Sequence, residues 1–192
     1  KYEITVKANS ATATYDGKEH EAVGVETYEF TVEGNSYTVS GLSTEDPKQK
    51  DAGSYTNNIT GTPVVTDKEG NVVTSEFEVK TENGSLEIGK AAVTLKSATL
   101  SKKYDGNALV NGDTALEVES GFAEGEGATY NFTGSQTVVG SSANAFSYEL
   151  NSNTNIDNYA ISKQEGTLTV TNREAKYEIT VKANSATATY DG

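Results

Sequence analysis

One stretch of the chain occurs twice, and this repetition constrains the fold more than any other feature. Residues 1–17 read KYEITVKANSATATYDG, and residues 176–192 are identical to them. Packing in a β-structure fixes only the alternate, inward positions, so identity that includes polar Lys, Glu, Asn and Thr indicates a recent duplication. The sequence restarts at residue 176, so the chain is one 175-residue unit followed by the opening of the next.

The repeated opening predicts two β-strands, which should not fold without partners. If all 192 residues are ordered, we therefore expect residues 176–192 to be held by the preceding domain or by a neighbouring copy, where they would complete the next repeat. This interpretation makes the sequence part of a longer periodic chain, such as a fibre.

An older and more diverged repeat lies inside the unit. YEITVKANSATATYDG from Tyr2 aligns with AAVTLKSATLSKKYDG from Ala91 at an offset of 89, and EFEVKTENGSLEI (76–88) aligns with NYAISKQEGTLTV (158–170) at an offset of 82. In both copies an aromatic residue precedes a glycine by seven positions: Phe77 and Gly84, Tyr159 and Gly166. The alignment predicts two homologous domains, 1–88 and 91–171, with 176–192 as the first two strands of a third.

Apolar and polar residues alternate with a period of two through most segments, which is typical of β-strands. Tyr28, Phe30 and Val32 share one face of a predicted hairpin that turns at Gly34-Asn35, and a second hairpin is predicted to turn over residues 67–70. A helical turn or two is expected at most, around residues 43–49. We predict an all-β fold of two small tandem β-sandwich domains, Ig-like or β-grasp-like, joined end to end.

The tripeptide Tyr-Asp-Gly occurs three times, at residues 15–17, 104–106 and 190–192. After an alternating strand it is typical of a strand end: Tyr packs, Asp accepts backbone N–H groups, and Gly takes a positive φ. The alternative is that Asp16 or Asp105 is a metal ligand or an acid. We infer that neither has a nearby His or a second carboxylate at a ligand spacing, and we interpret the only histidine, His20, as a surface residue.

Composition and motifs exclude several functional classes. A net charge of -13 and a pI near 4.5 disfavour a nucleic-acid partner, and no apolar run approaches the roughly 20 residues of a membrane helix. The absence of Cys removes disulfides and thiolate chemistry. His20 lacks a Gly-x-Ser-x-Gly elbow, and residues 67–71 (DKEGN) favour a hairpin turn over a calcium loop. We therefore predict no enzyme activity, catalytic residue, cofactor, metal site or membrane insertion by this fragment.

The chain resembles the bacterial surface-repeat family of MBG or YDG-type domains. The resemblance rests on KKYDGNALV, TGSQTVVGSSANAF and NYAISKQEGTLTV in the second domain, and on YDGKEHEA, DAGSY and NGSLEI in the first. It implies tandem modules of secreted, often wall-anchored proteins at the bacterial cell surface, with no catalytic residues. Stalk domains of that kind sometimes cross-link Lys to Asn; Lys7 and Lys96 lie on first strands and Asn172 follows a last strand, but the first domain has no equivalent Asn.

Two functions follow from this organisation. The first is a structural spacer, stalk or filament module whose partners are neighbouring repeats or adjacent copies in a fibre. The alternative is an adhesin module that recognises a host protein or glycan. Its best candidate is GFAEGEGATYNF (121–132), where Phe122 and Tyr130 lie near glycines, although core packing explains these aromatics equally well.

Overall fold

The protein is all-β, as the alternation predicted. A computed structural model describes residues 1–112 and 115–192, and over these residues the regular elements are strands apart from two single 3-10 turns, Thr74–Glu76 and Ile156–Asn158. The helical turn expected around residues 43–49 is wrong. Asp46 there has a φ of +52°, which a right-handed helix cannot accommodate, and its carboxylate instead accepts hydrogen bonds from Gly24 N and Thr44 Oγ1.

The structure describes ten strands in residues 1–89, here called the first half, and ten in the described part of residues 91–171, the second half. Those of the first half are β1 Tyr2–Lys7, β2 Ala11–Thr14, β3 His20–Glu21, β4 Glu29–Val32, β5 Asn35–Thr44, β6 Lys48–Gln49, β7 Gly53–Asn57, β8 Ile59–Asp67, β9 Phe77–Glu82 and β10 Gly84–Gly89. Those of the second half are β11 Ala91–Lys96, β12 Leu100–Lys103, β13 Leu109–Val110, β14 Val118–Ser120, β15 Ala128–Phe132, β16 Ser135–Gln136, β17 Gly140–Asn144, β18 Phe146–Leu150, β19 Tyr159–Gln164 and β20 Gly166–Thr171.

The first and last strands of each half lie side by side and parallel. In the first half β1 pairs with β9, with Tyr2 opposite Phe77, and β2 continues along β10. In the second half β11 pairs with β19, with Ala91 opposite Tyr159, and β12 continues along β20. A third strand lies antiparallel on the other side of the last strand: β7 beside β10 in the first half, and β17 beside β20 in the second. The pairing recurs at the two offsets read from the sequence, so the internal repeat is also structural.

The middles of the two halves differ. The first half adds β4 to the β5-β8 pair, whose counterpart in the second half is the β15-β18 pair, and the second half adds β14 to β11. The β4-β5 hairpin turns at Glu33-Gly34, one residue earlier than predicted. Both turn residues have positive φ, +49° and +82°, which is the conformation that matches the twist of paired strands. The hairpin after β8 turns over residues 67–70, as predicted.

Gly84 and Gly166 occupy equivalent places where another side chain would not fit. A Cβ built on Gly84 would lie 2.2 Å from the carbonyl oxygen of Asn9, and a Cβ on Gly166 would lie 2.3 Å from that of Ala98. The obstructing atoms belong to backbone and cannot rotate away. The glycine that follows the aromatic by seven residues therefore allows the first strand to cross closely over the last one.

A buried asparagine faces each of these glycines across the sheet. Asn57 pairs with Gly84 and Asn144 pairs with Gly166, and neither side chain is exposed to solvent. Asn57 Nδ2 donates to the carbonyl of Asn9 at 3.1 Å, and Asn144 Nδ2 donates to that of Ala98 at 2.9 Å. The amides thus satisfy backbone carbonyl groups in the short links that join β1 to β2 and β11 to β12.

Two hydrophobic clusters form the core. One belongs to the first half and consists of Ile4, Val6, Val39, Val65 and Phe77. The other contains residues of both halves: Tyr15, Ala22, Leu86, Ile88, Ala91, Val93, Leu95, Phe146 and Tyr159. The second cluster lies where the first half passes into the second, so this passage is a packed contact and not a free linker.

Replacing either crossing glycine by alanine should destabilise the protein. We expect Gly84→Ala and Gly166→Ala each to lower the free energy of unfolding by at least about 2 kcal/mol, because the new methyl group meets immovable backbone. Gly89→Ala is the matched control in the same strand, since its Cβ would meet its nearest atom at 3.7 Å. Urea unfolding followed by circular dichroism measures the difference, and equal effects at positions 84 and 89 would contradict the prediction.

Candidate functional site

The first two Tyr-Asp-Gly tripeptides, at residues 15–17 and 104–106, end strands as the sequence predicted. Asp16 Oδ1 accepts the backbone N–H of Lys18 at 2.9 Å, and Asp105 Oδ1 accepts that of Asn107 at 2.9 Å. The glycines that follow have φ of +79° and +87°. The aspartates are therefore turn residues that terminate β2 and β12.

The first Tyr-Asp-Gly lies at the contact between the halves, which we call the joint. The joint consists of residues 15–17 and 51–52 of the first half against residues 122–126 and 158–159 of the second. Glu126 lies at its centre: its two carboxylate oxygens accept hydrogen bonds from Tyr15 Oη at 2.5 Å and from Tyr159 Oη at 2.8 Å. Tyr159 Oη also accepts the backbone N–H of Ala123 at 3.0 Å. Two phenols, one from each half, thus share one carboxylate.

Contacts between aromatic rings and the hydrogen bonds of Asn158 complete the joint. The Tyr159 ring packs edge-on against Tyr15, with centroids 5.3 Å apart, and against Phe122 at 5.2 Å. Asn158 Nδ2 donates to Asp51 Oδ1 at 2.8 Å, and Asn158 Oδ1 accepts the backbone N–H of Ala52 at 2.9 Å. The joint therefore fixes the halves by directional hydrogen bonds as well as by apolar contact.

The far end of the second half carries the corresponding positions without a covering partner. Tyr104 corresponds to Tyr15 but is only half-buried, whereas Tyr15 is 4% exposed. Val138 and Val139 correspond to Asp51 and Ala52 and are 67% and 48% exposed. We call Tyr104, Val138 and Val139 the exposed end.

The third Tyr-Asp-Gly belongs to a segment with no strand. Residues 176–192, the tail, are exposed throughout and have no assigned secondary structure. At its root the guanidinium of Arg173 lies 3.8 Å from the Tyr177 ring centroid, and Arg173 Nη1 donates to Tyr177 Oη at 2.7 Å. The expectation that the preceding domain holds the tail is wrong, because this contact next to the exposed end leaves the rest of the tail in solvent.

The remaining candidate site residues, His20, Asp16 and Asp67, make hydrogen bonds within turns. His20 Nε2 lies 2.9 Å from Asp16 Oδ1, so the inference that Asp16 has no histidine near it is wrong; the turn at residues 16–18 brings the chain back over the carboxylate. Asp67 accepts N–H groups from Glu69 and Asn71 and is thus a hairpin-turn residue. Within the described residues, no group of three or more His, Cys, Asp or Glu is placed to hold a metal ion.

The two lysines considered for cross-linking form ion pairs at the surface. Lys7 Nζ lies 2.9 Å from Glu82, and Lys96 Nζ lies 3.1 Å from Glu117. Asn172 is exposed beyond the last strand. The structure therefore does not bring either lysine to an asparagine partner.

The stretch considered as a ligand-binding loop is part of the joint. Phe122 packs on Tyr159, Glu126 receives the two phenols, and Tyr130 lies in β15 against Phe146 with centroids 6.4 Å apart. Core packing thus accounts for these aromatics. Sequence reasoning missed Glu126 and Asn158 because both act on residues more than 100 positions away in the chain, and no local pattern marks such a pairing.

Burial and hydrogen bonding shift several pKa values. Burial, together with the nearby Glu126 carboxylate, raises the pKa of Tyr15 well above its ordinary value of 10.0. Burial also raises the pKa of Tyr159. At the turn, the Lys18 N–H and then His20 hold the pKa of Asp16 below its usual value. Both joint phenols therefore stay protonated and serve as donors at neutral pH.

Removing one joint phenol should weaken the contact between the halves. Tyr15→Phe deletes a hydrogen bond to a carboxylate, so we expect the free energy of unfolding to fall by about 1.5–3 kcal/mol. The control, Tyr104→Phe, changes the corresponding residue of the second half and should cost less than about 0.5 kcal/mol. Thermal unfolding compares the two variants, and equal losses would contradict a special role for Tyr15.

Alkaline pH should destabilise the protein through the same phenols. Below pH 10 both folded and unfolded states keep these protons; above it the unfolded tyrosines ionise while the folded ones, with raised pKa values, do not, so stability falls as pH rises. Urea unfolding between pH 8 and pH 11 should show this decline, with a shallower slope for Tyr15→Phe than for Tyr104→Phe. Identical slopes for the two variants would refute the assignment.

Comparison of the chain with protein-family models, with curated protein sequences and with solved structures gives no match. Within the described residues, none of the helical elements has the length and apolar character needed to cross a bilayer.

Proposed function

We propose that this chain is a structural spacer or filament-forming repeat module of a bacterial surface protein, without chemistry of its own. The observation that carries the proposal is that one strand-pairing pattern occurs twice in series. Residues 2–14 run beside residues 77–89, and residues 91–103 run beside residues 159–171. Each paired segment of 13 residues spans roughly 40 Å at about 3.3 Å per residue. Series repetition of such segments adds length.

The connection between the halves supports an end-to-end arrangement. A single residue, Lys90, separates β10 from β11. The described hydrogen bonds and ring contacts between the halves lie at the joint, next to this connection. A side-by-side arrangement would instead place the start of β1 against the end of β20. The polar joint would hold successive modules in a defined direction, which is the property a stalk requires.

The exposed area is consistent with an elongated molecule. The accessible surface is 12342 Å², whereas a compact protein of 20.3 kDa exposes about 8,800 Å². The exposed tail accounts for part of the excess. A location outside the bacterial cell and a role for neighbouring repeats as partners belong to the same proposal and rest on the resemblance to surface-repeat domains.

The adhesin alternative loses its specific support in this structure. The residues of its candidate loop belong to the joint: Phe122 packs on Tyr159, and Glu126 accepts a hydrogen bond from Tyr15. One hollow on the described surface is lined by strand residues of the β4-β5 hairpin, such as Phe30 and Tyr37, and lies away from that loop. The spacer function therefore accounts for the joint and for the repeated strand pairing, which the adhesin function does not require.

Small-angle X-ray scattering tests the spacer proposal directly. Two paired segments in line give a length of about 85 Å, for which the radius of gyration is roughly 25 Å. A compact globule of this chain length would have a radius of about 16 Å. A measured value near the smaller figure would reject the proposal. Tyr104→Phe serves as the variant that should leave the scattering curve unchanged.

A further inference from the structure

The exposed end is built like one side of the joint but lacks the polar side chain found there. Val138 and Val139 stand where the joint has Asp51 and Ala52, and they are 67% and 48% exposed. Tyr104, which lines the same hollow as Val139, keeps the phenol that the joint uses as a donor. Covering two neighbouring exposed valines removes apolar surface from water, so this end favours a partner.

The start of the first half offers the other side of such a contact. Tyr2 begins β1 and is 41% exposed, and its phenol donates to Glu33 Oε2 at 2.7 Å. Glu76 ends the 3-10 turn before β9 and is exposed, and Val72 in the segment that leads into this turn is 68% exposed. We call Tyr2, Glu33, Val72 and Glu76 the start face.

The start face resembles the surface by which the second half enters the joint. In the first half the Glu33 carboxylate accepts the phenol of Tyr2. In the second half the Glu126 carboxylate accepts the phenol of Tyr159, and its other oxygen accepts Tyr15 across the joint. A carboxylate already bound by one phenol can thus accept a second phenol from the neighbouring module.

Two paired differences separate the joint from the exposed end and the start face. In the joint, the side-chain amide of Asn158 donates to Asp51. Glu76 ends the 3-10 turn before β9 as Asn158 does before β19, but its carboxylate cannot donate. An aspartate opposite Glu76 would bring two carboxylates together, and the exposed end has Val138 in that place. The two differences are complementary, so they match the exposed end to a start face.

A contact within the molecule shows that the exposed end accommodates a tyrosine ring. Tyr177, which is the counterpart of Tyr2 in the repeat, lines a hollow together with Tyr104 and Val139. Tyr177 is itself 57% exposed and leaves the valines largely uncovered. The surface is therefore suited to a ring such as that of Tyr2 and has room for a larger partner.

We propose that the exposed end binds the start face of a second copy of this chain. Tyr104 Oη donates to the Glu33 carboxylate of that copy, as Tyr15 does to Glu126 in the joint. The Glu76 carboxylate accepts the backbone N–H of residue 139, as Asn158 Oδ1 accepts that of residue 52. The apolar side chains of the start face cover the two valines.

The contact gains interactions that a separate molecule lacks, because valines leave water and a phenol binds a carboxylate. It joins unlike surfaces and therefore propagates head to tail without closing. It also sets the order of the halves, since two first halves in succession would place Asp51 against Glu76. This inference rests on the spacer function for its role and deepens it by naming the partner surface.

Disulfide trapping tests the contact directly, because the chain has no cysteine of its own. Val138→Cys and Glu76→Cys are made as separate full-length variants and mixed under mild oxidation. We expect mixed disulfide dimers to form at least about tenfold faster than from Ile156→Cys with Glu76→Cys, because docking raises the effective concentration of the thiols. Ile156 is 50% exposed and lies at the opposite end of the second half, which makes it the matched control.

A charge exchange tests the complementarity of the two surfaces. Val138→Asp places a carboxylate opposite Glu76 and should weaken self-association of the full chain by about tenfold or more, measured by sedimentation equilibrium. Adding Glu76→Asn recreates the Asp–Asn pair of the joint and should restore the association. Both positions are exposed, so circular dichroism should show the same fold in all variants.

Three outcomes would each overturn the proposal: trapping no faster than in the control pair, an unaltered chain that stays monomeric at every concentration, or a Val138→Asp defect that Glu76→Asn does not restore. The spacer function fails by a different measurement. A small scattering radius for the dilute chain would reject it and leave the trapping and sedimentation results valid, whereas loss of the contact would leave the elongated shape of the single chain unchanged.

Discussion

Each half of this protein depends on the parallel pairing of its first strands with its last strands. The pairing requires a close crossing of two backbones at Gly84 and at Gly166, where no Cβ can be accommodated. A buried asparagine opposite each glycine satisfies a carbonyl at the crossing. The pairings of β7, β3-β6 and β5-β8 also recur, as those of β17, β13-β16 and β15-β18, whereas among the described strands β4 and β14 each occur in one half only. The repeat is therefore preserved within the chain as a shared framework of strand pairs around the crossing, with one added strand in each half.

The joint shows how two such closed units are held in a fixed relation. Tyr15 and Tyr159 approach from opposite halves and share the carboxylate of Glu126, while Asn158 bonds to the first half through Asp51 and Ala52. Directional bonds of this kind resist rotation about the single connecting residue more than apolar contact alone would. At the exposed end, Val138 and Val139 stand in the places of Asp51 and Ala52, so no carboxylate is available there for a bond like that of Asp51 to Asn158. The two ends of the second half therefore differ in chemistry.

Much of the fold followed from the sequence, because alternation and turn residues are local signals. The turns at the first two Tyr-Asp-Gly tripeptides and the hairpin at residues 67–70 were predicted correctly for that reason. Predictions about contacts that no local pattern marks failed. The pairing of His20 with Asp16, four positions apart, depends on how the turn folds back, and the role of Glu126 arises only when residues 111 positions apart meet. The tail shows the same limit most clearly, since its sequence equals that of two well-packed strands.

The parallel arrangement of terminal strands has a mechanical consequence. In each half the chain enters at the start of the first strand and leaves at the end of the last one, so the entry and exit points lie at opposite ends of the paired strands. Tension along the chain therefore loads the ladder hydrogen bonds in shear, all at once, and does not peel them apart in sequence. A thread built in this way would withstand pulling from its ends better than a chain of antiparallel hairpins of the same length.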